Sequence, residues 1–208
     1  MEDDDAVVEA IGARVAAGAA RPVGADQVVE EWMGELDAVA DGAPFRTLRD
    51  CSTLSLATVM ERHGCPAEAA ALCVPLFAYW RAPPLRAGTR EFLTDLTLPV
   101  CVVSDVDRAD LEAAMAHHGL AFTAIVTSEE VGAYKPAAAM FARALAALSL
   151  DAGEVLHVGD SPRNDIGGAH AAGIRAAWVS RGRTAPAGLA AAHEIADLRG
   201  LAAILGAT

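Results

Sequence analysis

Val155-Leu156-His157-Val158-Gly159-Asp160-Ser161-Pro162-Arg163-Asn164-Asp165-Ile166-Gly167-Gly168-Ala169 reads as a buried strand, a polar turn and the opening of a helix. The run from Val155 to Val158 has the length and apolar character of a core strand, and it delivers Gly159 and Asp160 to the strand's carboxyl end. The turn then brings Asp165 to the start of the following helix, so two carboxylates can converge on one hard cation. Two acids, with waters and a substrate phosphate, make a Mg²⁺ shell. Each acid taken singly also suits a turn or a helix N-terminus. The whole series Gly-Asp-Ser-x-x-x-Asp-x-x-Gly-Ala after a strand is what that simpler reading leaves unexplained.

Outward from this stretch, short β-rich runs alternate with helical ones. Val100–Val103, Ala124–Val126, Val155–Val158 and Ala176–Val179 read as strands, with helices near 108–117, 137–148 and 164–172. Such alternation predicts an α/β fold, a parallel sheet with helices on both faces. Ligands of these sheets bind at the carboxyl ends of strands. Two further candidates stand there. Ser104 ends the run Pro99-Val100-Cys101-Val102-Val103 and is followed by Asp105, where a hydroxyl beside free helix N–H groups can hold a phosphoryl or carboxylate oxygen. Lys135, in Gly132-Ala133-Tyr134-Lys135-Pro136, is the only lysine among 16 basic residues. A residue before proline is held extended, which aims its ammonium from a defined point.

Toward the N-terminus the pattern changes. From Asp5 to about Leu76 apolar residues recur at helical spacing, as in Val28, Trp32 and Leu36, with breaks at Arg21-Pro22, Gly42-Ala43-Pro44 and Gly64-Cys65-Pro66. Ala82-Pro83-Pro84-Leu85 stiffens the chain as a linker would. The expected division is therefore a helical lobe over 1–82 and an α/β core over 83–208. Hydrophobic residues make up 53% of the 208, which suffices for a real core, and no run of about 18 uncharged apolar residues predicts a membrane span. A net charge of −12 disfavours nucleic acid and anionic membranes as partners and leaves a small molecule. The acidic start Met1-Glu2-Asp3-Asp4-Asp5 carries no targeting pattern, so the expected setting is the cytoplasm. Cys51, Cys65, Cys73 and Cys101 form no CxxC pair and read as buried thiols, and His157 reads as core packing.

In order and separation, Ser104, Lys135-Pro136 and Gly159-Asp160-Ser161 with Asp165 resemble the second, third and fourth motifs of the haloacid dehalogenase (HAD) superfamily. The resemblance runs over roughly 85–205, and residues 15–80 look like the helical cap that many members carry. It implies a three-layer Rossmann-like core and a phosphatase-like, Mg²⁺-dependent hydrolase of a small phosphorylated metabolite. By it, Ser104 holds a phosphoryl oxygen, with Asp105 beside it. Lys135 neutralises the nucleophile and the phosphoenzyme, and Asp160 with Asp165 binds Mg²⁺.

The superfamily's first motif, a strand ending in Asp-x-Asp that supplies the nucleophile, has no match of full form. Asp3-Asp4-Asp5 fits the letters, yet the two residues before it are too few to cross a sheet at about 3.3 Å per residue. As acids at a helix start they favour its positive end. Asp105-Val106-Asp107 follows a strand but stands where the second motif does. An absent central strand would leave two edges unpaired. Three explanations stand: an upstream start, another segment or chain in the slot, or a rearranged sheet. Three functions follow: a phosphatase completed by that strand, a non-catalytic descendant that keeps the anion and Mg²⁺ site for binding, or an enzyme of altered chemistry.

Overall fold

The computed structural model describes residues 3–206. They form two compact units: one runs up to Pro84 and takes in Asp105–Ala121, and the other comprises Leu85–Ser104 and the residues from Phe122 onward.

The first unit is helical: α1 (Asp5–Gly18), α2 (Ala25–Ala40), α3 (Leu48–His63) and α4 (Ala69–Arg81), joined by a later helix, Arg108–His118. Helical spacing turns Val28 and Trp32 of α2 to one face, where they pack with Ile11, Val15, Leu56, Val59 and Leu76. Trp32 is fully buried and satisfies its indole N–H on Ser55 Oγ at 3.0 Å and the Ser52 carbonyl at 3.2 Å. Thr47 caps α3, its hydroxyl accepting from Asp50 N, and Gly64 ends it at φ +64°. Burial pushes the Cys73 thiol up to about 11, which keeps it protonated and inert.

The second unit holds the α/β core. After α5 (Thr89–Asp95), β1 (Cys101–Ser104) runs parallel to β2 (Ala124–Thr127), with Ser104 opposite Thr127. The Arg108–His118 helix, α6, lies between them in sequence. Beyond β2 come α7 (Ser128–Val131) and α8 (Ala138–Leu148), then β3 (Leu156–Gly159), α9 (Gly168–Ala171), β4 (Arg175–Val179), β5 (His193–Ile195) and α10 (Leu201–Leu205). β3, β4 and β5 pair in that order, all parallel. Strand alternation gives the layers. Ala176 and Trp178 face Met140 and Phe141 of α8 and Ala169 of α9, while Leu156, Val158, Ala177 and Val179 face Phe92 of α5 and Leu201 of α10.

Among the described residues the strands form two sheets instead of one continuous sheet: β1 pairs with β2, and β3 with β4. No ladder among the described residues joins the two sheets. They are held instead through side chains, because Cys101 and Val103 of β1 and Val126 of β2 share one apolar cluster with Ile166, Ala176 and Trp178. The expected helix over 164–172 is a π-helical segment, Pro162–Gly167, followed by α9, and the short β5 and α7 had no counterpart in the apolar pattern.

Candidate active site

Ser104 ends β1 and Asp160 directly follows β3, whereas Lys135 lies beyond α7 and Asp165 in the turn after β3. Thr127 ends β2 and caps α7 by accepting from Glu130 N at 3.3 Å, Gly132 turns the chain at φ +71°, and Lys135 follows on the way into α8. The Lys135–Pro136 peptide bond is cis. From the β3 side, Ser161 Oγ accepts from Asn164 N at 3.1 Å and winds the turn that returns Asp165 to the strand end. Gly159 makes that return possible. A Cβ there would lie inside contact distance of Asp165 Cβ and Cγ, so only glycine lets the carboxylate fold back on the strand.

Asp165 is the best-satisfied group in the site. Lys135 Nζ lies 2.7 Å from Oδ1 with the two side chains 13% and 6% exposed, and His157 Nε2 lies 3.3 Å from the same oxygen. The main-chain N–H groups of Asp160 and Ser161 donate to Oδ2 at 3.1 and 3.0 Å. Burial by itself would raise this carboxyl's pKa. The hydrogen bond from His157, the charge and hydrogen bond of Lys135, and the Ser161 N–H outweigh it and hold the acid well below the usual carboxylate range. Asp165 is therefore a fixed anion that orients Lys135 and ties the β2 side of the site to the β3 side.

Asp160 points elsewhere. Its Oδ2 lies 2.7 Å from Arg181 Nη2 and 3.8 Å from Arg183 Nη2. Ser104 closes β1 beside Thr127, and Asp105 is the first residue of the chain's return to the helical unit. There Asp107 accepts from Leu48 N at 2.7 Å and Arg49 N at 3.2 Å, so it caps α3, while α1 starts at Asp5. Asp3 accepts through its carbonyl from Tyr79 Oη at 2.7 Å.

Of three neighbours of these carboxylates, Arg181 and Arg183 were not singled out by the sequence and His157 was read as core packing. His157 packs edge-on to Phe141 yet also reaches Asp165. Its signal was its position two residues before Gly159, on the same strand face. Arg181 and Arg183 follow β4 as Val179-Ser180-Arg181-Gly182-Arg183, where strand-end placement was the available clue.

Residues 4–173 match the profile of the haloacid dehalogenase-like hydrolases. A phosphoserine phosphatase of Thermus thermophilus is 37% identical over 130 residues, covering 59% of this chain and 51% of that protein. A ribulose-1,5-bisphosphate 5-phosphatase of Halopiger xanaduensis is 33% identical over 106 residues, 47% of this chain and 44% of its own. The chain thus spans about half the length of these relatives. Among solved structures, the HAD-hydrolase YfnB from Bacillus subtilis bound to magnesium has a TM-score of 0.77 at 22% identity, covering 98% of this chain and 93% of its own. The L-2-haloacid dehalogenase from Xanthobacter autotrophicus has a TM-score of 0.73 at 20% identity, with 96% and 93% covered.

Proposed function

We infer the activity from one premise: this chain belongs to the haloacid dehalogenase-like hydrolase family. On it, we read the protein as a cytoplasmic, Mg²⁺-dependent phosphatase of a small phosphorylated metabolite, with the helical unit as its cap. The observation that carries this reading is the buried Lys135–Asp165 pair, with the partly exposed Asp160 carboxylate just past the end of the parallel strand β3. Both phosphatase relatives support it.

The donor chemistry suits Mg²⁺ in kind. Mg²⁺ takes one or two carboxylates and completes its shell with water and substrate phosphate, without an all-protein cage. Asp160 offers a hard oxygen donor that solvent can reach, whereas both oxygens of Asp165 already accept from Lys135, His157 and two main-chain N–H groups. Among the described residues no group of three or more His, Cys, Asp or Glu side chains gathers. When bound, the ion would offset charge building on the transferring phosphoryl group.

The chain's own residues do the positioning. Ser104 donates its hydroxyl to a phosphoryl oxygen. Lys135, fixed by Asp165, neutralises the attacking carboxylate and then the phosphoenzyme, and such positioning and charge neutralisation dominate phosphoryl transfer. The reading also needs an Asp nucleophile from another segment or chain, since none of the described strands β1 to β5 contains an Asp. No helix among the described residues is long and apolar enough to cross a membrane.

A second reading, a binding protein that no longer hydrolyses, is favoured by the division of the strands into two sheets. Hydrolysis of p-nitrophenyl phosphate and of a panel including phosphoserine and sugar phosphates separates the two. The comparison is between the 208-residue chain and one lengthened upstream in frame, each with and without Asp160→Asn. Turnover by the lengthened chain, abolished by Asp160→Asn, is the expected result. Phosphate and Mg²⁺ binding without turnover in either chain rejects the phosphatase in favour of the binding protein.

A further inference from the structure

The turn after β4 carries cations onto Asp160 and is itself fastened to the end of β3. Arg183 Nη2 donates to the Asp160 carbonyl at 2.7 Å and to the Val179 carbonyl at 3.4 Å, and its Nε donates to the Ser180 carbonyl at 3.1 Å. Trp178 Nε1 donates to the same Asp160 carbonyl at 3.0 Å, and the Arg183 guanidinium stands 5.8 Å from the Trp178 ring centroid. Arg183 N closes the turn on the Ser180 carbonyl at 2.9 Å. Arg183 and Trp178 therefore hold main chain to main chain, and it is Arg181 that meets the carboxylate at 2.7 Å, its side chain only 22% exposed. Arg181 does so from φ +52°, a left-handed conformation that costs an L residue free energy and persists where surrounding contacts over-determine it.

Resting on the Mg²⁺ reading of Asp160, we propose that Arg181 is a tethered counter-ion: it competes with the divalent cation for the Asp160 carboxylate and so sets how tightly the site takes metal. A guanidinium and Mg²⁺ seek the same oxygens and the same negative charge. A metal reaching Asp160 has to displace a charge-assisted hydrogen bond that is partly shielded from water. Because the guanidinium is covalently attached, its local concentration does not fall on dilution. The site is thus neutralised before metal arrives and exchanges one cation for another when it does.

Calorimetric titration of the full chain with Mg²⁺ alone, at fixed ionic strength and without substrate, tests this. Arg181→Asn removes the charge with a residue that tolerates the left-handed region. Arg181→Lys keeps the charge, and Asp160→Asn removes the ligand. The expected result is loss of binding in Asp160→Asn, near-wild-type affinity in Arg181→Lys, and about tenfold or greater tightening in Arg181→Asn, the order of one charge-assisted hydrogen bond. Arg181→Gly, which suits the same φ without strain, gives the same gain and guards against a folding artefact. Unchanged or weaker affinity in both neutral variants, with Asp160→Asn still losing the metal, overturns the counter-ion role and leaves the Mg²⁺ reading standing. Equal binding by the wild type and Asp160→Asn removes the Mg²⁺ reading itself, and this inference with it.

Discussion

Replacing Lys135 by Met deletes the ammonium that lies 2.7 Å from Asp165 Oδ1 and leaves a carboxylate only 6% exposed. Removing one partner of a buried ion pair costs about 3–5 kcal/mol, because the survivor is a desolvated charge. Here the carboxylate keeps His157 and the N–H groups of Asp160 and Ser161, which places the loss near the lower end, about 3 kcal/mol. For a chain of this size that is a fall of about 6–12 °C in Tm. Adding Asp165→Asn to Lys135→Met removes the orphaned charge while keeping a carbonyl for the two N–H groups. The double variant should therefore recover about 2 kcal/mol, well outside the scatter of additive sites. Urea unfolding at pH 7, followed by circular dichroism, measures the wild type, both single variants Lys135→Met and Asp165→Asn, and the double variant. The sign of the pH dependence is fixed as well. Asp165 is held below its ordinary value of 3.8, so its stabilisation is complete above that pH and is lost as the pH falls below it toward the depressed folded value. The gap between the wild type and the double variant should thus narrow only in acid below about pH 4. A Lys135→Met cost under about 1 kcal/mol, or strict additivity in the cycle, refutes the coupling on which the site geometry rests.

Gly159→Ala puts a methyl group against Asp165, so the carboxylate must leave the strand end. A loss of about 1–3 kcal/mol is expected, and the Lys135 ammonium should show faster proton exchange by NMR than in the wild type. An unperturbed lysine signal would show that the return of Asp165 does not depend on the missing Cβ. In the helical unit, hydrogen bonds from Arg62, Gln27 and His63 hold the Glu31 carboxyl down at about 2. Its stabilisation is present above the ordinary 4.5 and is lost as pH falls through about 2. A carboxyl titration midpoint near 4.5 contradicts this.

How much of this was legible in the sequence varied with the kind of signal. β1 to β4 could be read because each is a short, mainly apolar run. β5 escaped because His193-Glu194-Ile195 is short and mostly polar, and it is defined by its pairing with β4 through Trp178 opposite Glu194. The helical breaks at Arg21-Pro22, Gly42-Ala43-Pro44 and Gly64-Cys65-Pro66 were legible from local chemistry alone, and the four helices fall between them. In the site, Lys135, Asp160 and Asp165 stood out by spacing after strands, but spacing does not say which cation each acid meets. The fold settles that through packing. Gly159 lets Asp165 turn back onto Lys135, and the Arg183 clamp brings Arg181 to Asp160. His157 was hidden by an ambiguity of its residue type, since one ring can pack on Phe141 and bond Asp165 at the same time.

The interleaving of the two units governs how the protein can be taken apart. The chain crosses from one unit to the other three times, at 84/85, 104/105 and 121/122, because α6 belongs with the N-terminal helices. Asp110 of α6, 1% exposed, receives both nitrogens of an Arg49 fork at 2.6 Å and Arg81 at 3.3 Å, and Asp107 caps α3. A cut after Pro84 would strip α6 of its arginines and strand a buried carboxylate, so the helical unit is no detachable cassette. Swapping it for another means exchanging two separate stretches of gene at once.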